Sequence, residues 1–180
     1  IVPEFLMRFL SWVMVRALYR LELHGIERHI PDEGPALIVC NHVSYMDALI
    51  LSAAIPRPVR FVMYYKIFRI PVMRWIFRTA KAIPIASAKE NPETLRLAME
   101  AVDAALAEGE LVCIFPEGAL TKDGNIAPFK GGVNRILERR PVPRRLRAHV
   151  VVRASAPVDG REATPASLEM QVRALRGDMA

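Results

Sequence analysis

The sequence is short of cysteine. It has two, Cys40 and Cys113, too few for a disulfide framework and spaced for no zinc site. Both fall in apolar, strand-like runs and are expected as buried, reduced thiols, in keeping with a cytosol-facing chain. Long uncharged apolar runs are missing as well. No window of about 18 residues lacks a charge, so no transmembrane helix is expected. The opening IVPEFLMRFLSW has neither a basic n-region nor a small-residue cleavage site, so it does not read as a secretory signal. No internal repeat appears. The first residue is Ile1 rather than Met, and the chain is expected to be one piece of a longer, fused protein.

What is present is apolar and basic. Of 180 residues, 52% are hydrophobic, and 25 Lys and Arg outweigh 19 Asp and Glu to leave a net charge of +6. Such a balance favours an anionic partner. The basic residues are mixed with large apolar ones in FLMRFLSWVMVRALYR (5–20) and KIFRIPVMRWIFR (66–78). That mixture suits a membrane surface. No nucleic-acid partner is expected, because that would need aromatics interleaved with a basic face. The plainer alternative for each segment is an amphipathic helix packed on a core.

The length suits one domain, or one domain with a tail. Residues 1–30 are expected to hold an amphipathic helix in contact with a membrane surface, and residues 31–180 the main domain. Helical spacing of Leu6, Leu10, Val13 and Leu18 predicts a helix over 3–21. Continuous apolar runs predict buried strands at 36–40, 59–64, 81–86 and 111–115, with a further strand at 149–158. Between them lie predicted helices at 47–55, 71–80 and 92–107. The last has Asn91 as cap, Pro92 in its first turn and Gly109 beyond its end. A capped helix is predicted at 164–177. The basic stretch RRPVPRRLR (139–147) reads as a solvated loop. Strands alternating with helices define an α/β domain with a mostly parallel, buried sheet flanked by helices.

Two polar clusters interrupt the apolar pattern. In CNHVSYMDALIL (40–51), Ser44 and Asp47 match a capping box. His42 lies before that helix. Were residues 42 and 47 both helical, they would sit roughly 140° apart. A break at Ser44 instead lets the Asp47 carboxylate meet the imidazole, fix its tautomer and stabilise its charged form. The free ring nitrogen is then a candidate general base. In CIFPEGALTKDG (113–124), Glu117 follows a buried strand directly. Ligands of open α/β sheets bind at that carboxyl edge, and His42 also follows a strand. A parallel sheet would bring both clusters to one rim. The plainer readings are a helix cap and a solvated Pro-Gly turn.

Together, NHVSYMD (41–47) and FPEGAL (115–120) resemble the glycerolipid acyltransferase superfamily, of the 1-acylglycerol-3-phosphate acyltransferase type, over roughly residues 5–140. AIPIASAKENPE (82–93) is similar to the acyltransferase module of bacterial fusion proteins that also carry an acyl-carrier-protein ligase and recycle 2-acyl-glycerophosphoethanolamine. The resemblance implies His42 as general base and Asp47 as its orienting partner. It implies transfer of a fatty acyl group from acyl carrier protein or coenzyme A to the glycerol hydroxyl of a lysophospholipid, with no covalent acyl-enzyme. Asn41, Phe115, Pro116, Glu117 and Gly118 would surround the acceptor. No metal or cofactor is implied. The implied location is the cytoplasmic face of the cell membrane.

Against the family pattern, Ser87 stands where an arginine contacts phosphate, with Lys89 the nearest cation. Ala119 and Leu120 stand where Thr-Arg is common. Lys122 and Lys130 are further candidate phosphate contacts. These departures suit a phosphodiester headgroup better than a free phosphomonoester such as lysophosphatidic acid, the alternative acceptor. The family's next apolar strand is replaced by RRLRAH, as if a segment were missing near Pro143–Arg144. A catalytically silent lipid-binding module is the remaining alternative.

Overall fold

The computed structural model describes residues 4–121, 125–132, 136, 144–146, 151–153 and 164–176. In chain order these form α1 (Glu4–Leu18), β1 (Glu22–His24), α2 (Ile26–His29), β2 (Ala36–Val39), α3 (Asp47–Ala54) and β3 (Val59–Tyr64). A 3₁₀ turn (Tyr65–Arg69) leads to α4 (Pro71–Thr79), β4 (Ile83–Ile85), α5 (Pro92–Ala107) and β5 (Leu111–Ile114). β6 (Arg144–Leu146), β7 (Val151–Arg153) and α6 (Pro165–Arg176) complete the order.

β4, β3, β5, β2 and β6 lie side by side in that order, all parallel. β1 and β7 form a separate parallel pair. Every residue of β2 (ALIV) and β5 (LVCI) is buried, as expected where a parallel sheet is covered on both faces. Alternation sorts these residues between two cores. Leu37, Val39, Val112 and Ile114 face α5 and α6, meeting Met99, Val102, Leu106, Leu168 and Val172. Ala36, Ile38, Leu111 and Cys113 face the other way, toward Ile50, Leu51 and Ile55 beside α3, and Val15 of α1. Cys40 and Cys113 are buried and unbridged, with sulfurs 3.9 Å apart. Burial pushes the Cys113 thiol well above its ordinary pKa.

α5 follows its sequence signals closely. Asn91 Oδ1 accepts from the Thr94 N–H at 3.0 Å, and Pro92 opens the first turn. Leu106 is fully packed between α5 and the sheet. Leu106→Ala is expected to destabilise the fold by about 2–5 kcal/mol, measured as a lowered midpoint in urea unfolding. At the opposite edge of the sheet from the polar clusters, Arg57 ties three loops together, donating to the carbonyls of Pro31, Gly34 and Gly109.

The structure departs from expectation in two places. The stretch 139–147 is not wholly a loop: Arg144–Leu146 pairs with Leu37–Val39 as the edge strand β6. Backbone pairing needs no apolar side chains at an edge, so composition hides it. Residues 1–30 hold β1 and α2 as well as α1. The apolar residues of α1, expected at a membrane surface or packed on a core, mostly face outward. Val15 is buried, whereas Phe5, Phe9, Leu10, Trp12, Val13 and Leu18 are exposed. Of the strand predicted at 149–158, Val151–Arg153 forms β7; the rest of that stretch, together with Lys122 and Pro143, lies outside the described residues.

Candidate active site

The C-terminal ends of β2 and β5, neighbours in the sheet, deliver the two polar clusters to one rim. Asn41 and His42 follow β2; Phe115, Pro116 and Glu117 follow β5. His42 Nδ1 lies 2.9 Å from Asp47 Oδ2. The same carboxylate oxygen accepts from the Val43 N–H at 2.8 Å and the Ser44 N–H at 2.9 Å. Ser44 Oγ in turn accepts from the Met46 N–H. Only half of the expected capping box forms: Asp47 reaches back to the Ser44 N–H, but Ser44 Oγ takes the Met46 N–H, the Asp47 N–H goes to the Ser44 carbonyl at 3.1 Å, and the regular helix begins only at Asp47. One carboxylate both closes the turn and holds the imidazole. An ionised carboxylate only accepts, so Nδ1 carries the proton and Nε2 is left as acceptor.

The cluster after β5 grips the same histidine. Glu117 Oε1 accepts from the His42 backbone N–H at 2.6 Å, and its Oε2 from the Ala127 N–H at 2.8 Å. The Phe115 ring stacks on the imidazole, centroids 4.2 Å apart with a 23° interplanar angle. The Thr121 N–H donates to the His42 carbonyl at 3.0 Å. The histidine is thus held through ring, N–H and carbonyl by three separate segments.

Glu117 is only 3% exposed. Burial raises its carboxyl above the ordinary value, opposed by the Ala127 and His42 N–H bonds and by nearby positive charge from His42 and Arg173. Gly118 adopts φ +67°, and a Cβ there would stand 2.6 Å from Lys130 Nζ. The glycine lets the lysine lie across the turn. Lys130 is further tied in through its N–H, which donates to the Pro116 carbonyl. Asn41, directly before His42, is 5% exposed.

Ser87 and Lys89 behave differently. Both are exposed in the turn after β4, and among the described residues no hydrogen bond or ion pair joins them to His42. The cation engaged near that turn is Lys66, paired with Glu90 Oε1 at 2.6 Å, which also accepts from Tyr64 Oη. Sequence inspection missed this cluster because its members lie on separate elements. Among the described residues no cluster of His, Cys, Asp or Glu could hold a metal ion.

An imidazole held by a buried carboxylate at the carboxyl edge of a parallel sheet is the equipment of a general-base enzyme. The chain belongs to the family described as Acyltransferase, whose model matches residues 20–151. It is 28% identical over 142 residues to a chloroplastic 1-acyl-sn-glycerol-3-phosphate acyltransferase of Brassica napus, covering 78% of this chain and 40% of that protein. It is 30% identical over 138 residues to a 1-acyl-sn-glycerol-3-phosphate acyltransferase of Borreliella burgdorferi, covering 68% and 52%. A lyso-ornithine lipid O-acyltransferase of Rhizobium meliloti is 31% identical over 106 residues, covering 59% and 34%. The chain therefore spans about a third to a half of the length of these relatives. Its fold matches the crystal structure of the 1-acyl-sn-glycerophosphate acyltransferase PlsC from Thermotoga maritima at a TM-score of 0.77 and 17% identity, covering 98% of this chain and 79% of that one.

Proposed function

We propose that the protein transfers a fatty acyl group from an acyl thioester, carried on acyl carrier protein or coenzyme A, to the glycerol hydroxyl of a lysophospholipid. The observation that carries this is the 2.9 Å contact between His42 Nδ1 and Asp47 Oδ2, which leaves Nε2 as acceptor. Nε2 takes the proton of the acceptor hydroxyl as its oxygen attacks the thioester carbonyl. The resulting tetrahedral intermediate expels the thiolate. That thiolate takes the proton back from the imidazolium, so the enzyme ends unchanged. Asp47 stabilises the imidazolium in between. Positioning of the two substrates supplies the rest of the acceleration.

Two acceptors are in view. A phosphodiester lysolipid, 2-acyl-glycerophosphoethanolamine, is supported by Ser87, Ala119 and Leu120 standing where the resemblance leads one to expect other residues, arginine at Ser87 and Thr-Arg at Ala119-Leu120. Lysophosphatidic acid is supported by the names of the relatives in Brassica and Borreliella. The outward apolar face of α1, whose Phe5 is 72% exposed, supports work at a membrane surface, and the unbridged Cys40 and Cys113 support its cytoplasmic side. Among the described residues no helix is long and apolar enough to cross a bilayer, so contact would be interfacial. The deciding experiment offers labelled acyl carrier protein and acyl-coenzyme A to the protein with both lysolipids and follows the diacyl product. Absence of product from every pair would refute the transferase reading and favour a silent lipid-binding module.

Asn41 has a place in this scheme. Its amide is not among the fully buried unpaired atoms, so beside His42 it is open to a bound ligand. We assign it to the substrates or to the oxygen that gains charge during attack. Asn41→Ala is expected to reduce kcat by roughly 10²–10³-fold, the loss typical of one such donor, with the fold retained by circular dichroism. An unchanged kcat would remove it from the scheme.

A further inference from the structure

Three arginines converge on one cavity that the scheme above does not use. The cavity, ≈ 420 Å³, is lined by Tyr65, Phe68, Arg69, Arg74, Arg78, Ala82 and Pro84. It lies between the 3₁₀ turn, α4 and the edge strand β4. β4 stands three strands from β2 in the sheet, about 14 Å at ordinary strand spacing, so it is a different place from the His42 rim.

The cavity is held in shape. Phe68 packs on Phe77 of α4 with centroids 5.2 Å apart. The Arg74 Nε donates to the Phe68 carbonyl at 3.1 Å, and the Arg69 guanidinium lies 5.6 Å from the Tyr65 ring centroid. No carboxylate lines it, and among the described residues none of the three arginines is in an ion pair. Arg60, Arg96 and Arg173, in contrast, are each neutralised by glutamates. All three arginines are solvent-exposed, and a positive surface hollow with aromatic walls and no counter-ion among the described residues suits an anion. The guanidinium fork suits phosphate above others.

The source of that phosphate is indicated by the neighbouring side chains. Ile70, Val72 and Trp75 are 53%, 63% and 48% exposed. On α4, positions 74 and 78 share one face, and 75 and 72 follow on the adjoining arc at 100° per residue. Met73, Ile76 and Phe77 are partly buried on the opposite side. A soluble phosphate compound has no use for exposed Trp and Val beside its site. A bilayer offers phosphates and an apolar layer at adjacent depths, and Trp favours that boundary. We infer that the Arg69–Arg74–Arg78 cavity receives the headgroup phosphate of an anionic membrane phospholipid, with Ile70, Val72 and Trp75 entering the interface beside it. α4 would thus dock the sheet's edge on the membrane independently of α1.

The test uses the full 180-residue chain and measures partition onto vesicles of phosphatidylcholine alone or mixed with phosphatidylglycerol, without substrates, so it does not depend on turnover. Each arginine at an anionic surface is worth about fivefold in binding. Arg74→Gln with Arg78→Gln is therefore expected to weaken binding to the anionic vesicles by roughly 25-fold, with little change on neutral ones. Trp75→Ser is expected to weaken both. Melting by circular dichroism checks that each variant folds. Wild-type binding by the folded arginine variant would overturn the inference. So would unchanged vesicle binding accompanied by a raised KM for an acyl-coenzyme A in neutral detergent, which would give the cavity to the donor's phosphates.

Discussion

His42→Ala lowers acyl transfer by roughly 10²–10⁴-fold in kcat, the contribution of a positioned general base, with a smaller loss of stability in urea than Asp47→Asn. The ring is 21% exposed, and its loss gives up the Asp47 bond and the Phe115 stack, but the N–H and carbonyl of residue 42 keep their bonds to Glu117 and Thr121. The backbone survives the substitution. Asp47→Asn also removes most of the activity, because a neutral amide no longer stabilises the imidazolium. It should cost stability as well. Asp47 Oδ2 accepts three bonds, two of them from the Val43 and Ser44 N–H groups, and charge-assisted bonds are the stronger kind. The pair of variants is informative because the losses differ: chiefly chemistry at His42, chemistry and fold together at Asp47. Product formation by His42→Ala within a few-fold of wild type would end the general-base mechanism.

Glu117→Gln is the second large effect, and it acts at a distance from the reacting atoms. Each carboxylate oxygen meets a backbone N–H. An amide presents one oxygen and one NH₂, so either the His42 or the Ala127 N–H loses its acceptor. The cost is about 1–3 kcal/mol. Release of His42 from its anchor misplaces the base, and a shift of about 1 Å can cost 10²-fold in rate. The expected signature is a fall in kcat with the acceptor's KM little changed. A direct grip on the acceptor would instead raise KM. The resemblance implied such a grip; the geometry shows both oxygens already engaged by backbone.

The same residue predicts a pH dependence of stability. Burial raises the Glu117 carboxyl above its ordinary value. The unfolded chain releases this proton at the ordinary pKa and the folded chain at a higher one. Through that window the fold binds more protons, so stability falls as pH rises. The contribution is complete below the unfolded pKa and is lost as pH passes the folded one. Glu117→Gln removes the titrating group. The advantage of wild type over the variant should therefore shrink with rising pH across the upper carboxylate range. Parallel unfolding curves at every pH would show that burial does not shift this group.

How much could be read from residues alone varied with the interaction. α5 is local: an Asn cap, a Pro at the first turn and one apolar stripe satisfy a helix without outside help, and its bounds coincide with expectation. β2 and β5 were equally legible, since a run buried on both faces has to be apolar throughout. β6 was not, because an edge strand is made by backbone bonds to β2 that any side chain permits. The stripe on α1 was visible, but its direction was not. Spacing states which residues share a face and is silent on whether that face meets a core or a surface.

At the site the division is similar. The Ser44–Asp47 turn and the position of His42 just before it depend on near neighbours, so chain order alone allowed an imidazole and a carboxylate to meet at a strand-to-helix turn. The α/β class was determined the same way, by period and punctuation. Only the tertiary structure decided that Glu117 anchors the His42 backbone, that Phe115 stacks on its ring, and that Lys130 rather than Ser87 or Lys89 lies against the site. It set Arg69 beside the Arg74–Arg78 face of α4 and walled the hollow with Ala82 and Pro84. The reason is physical. Local bonds are chosen by residues a turn apart, whereas contacts between distant segments depend on which strands become neighbours, and burial of the whole sheet settles that.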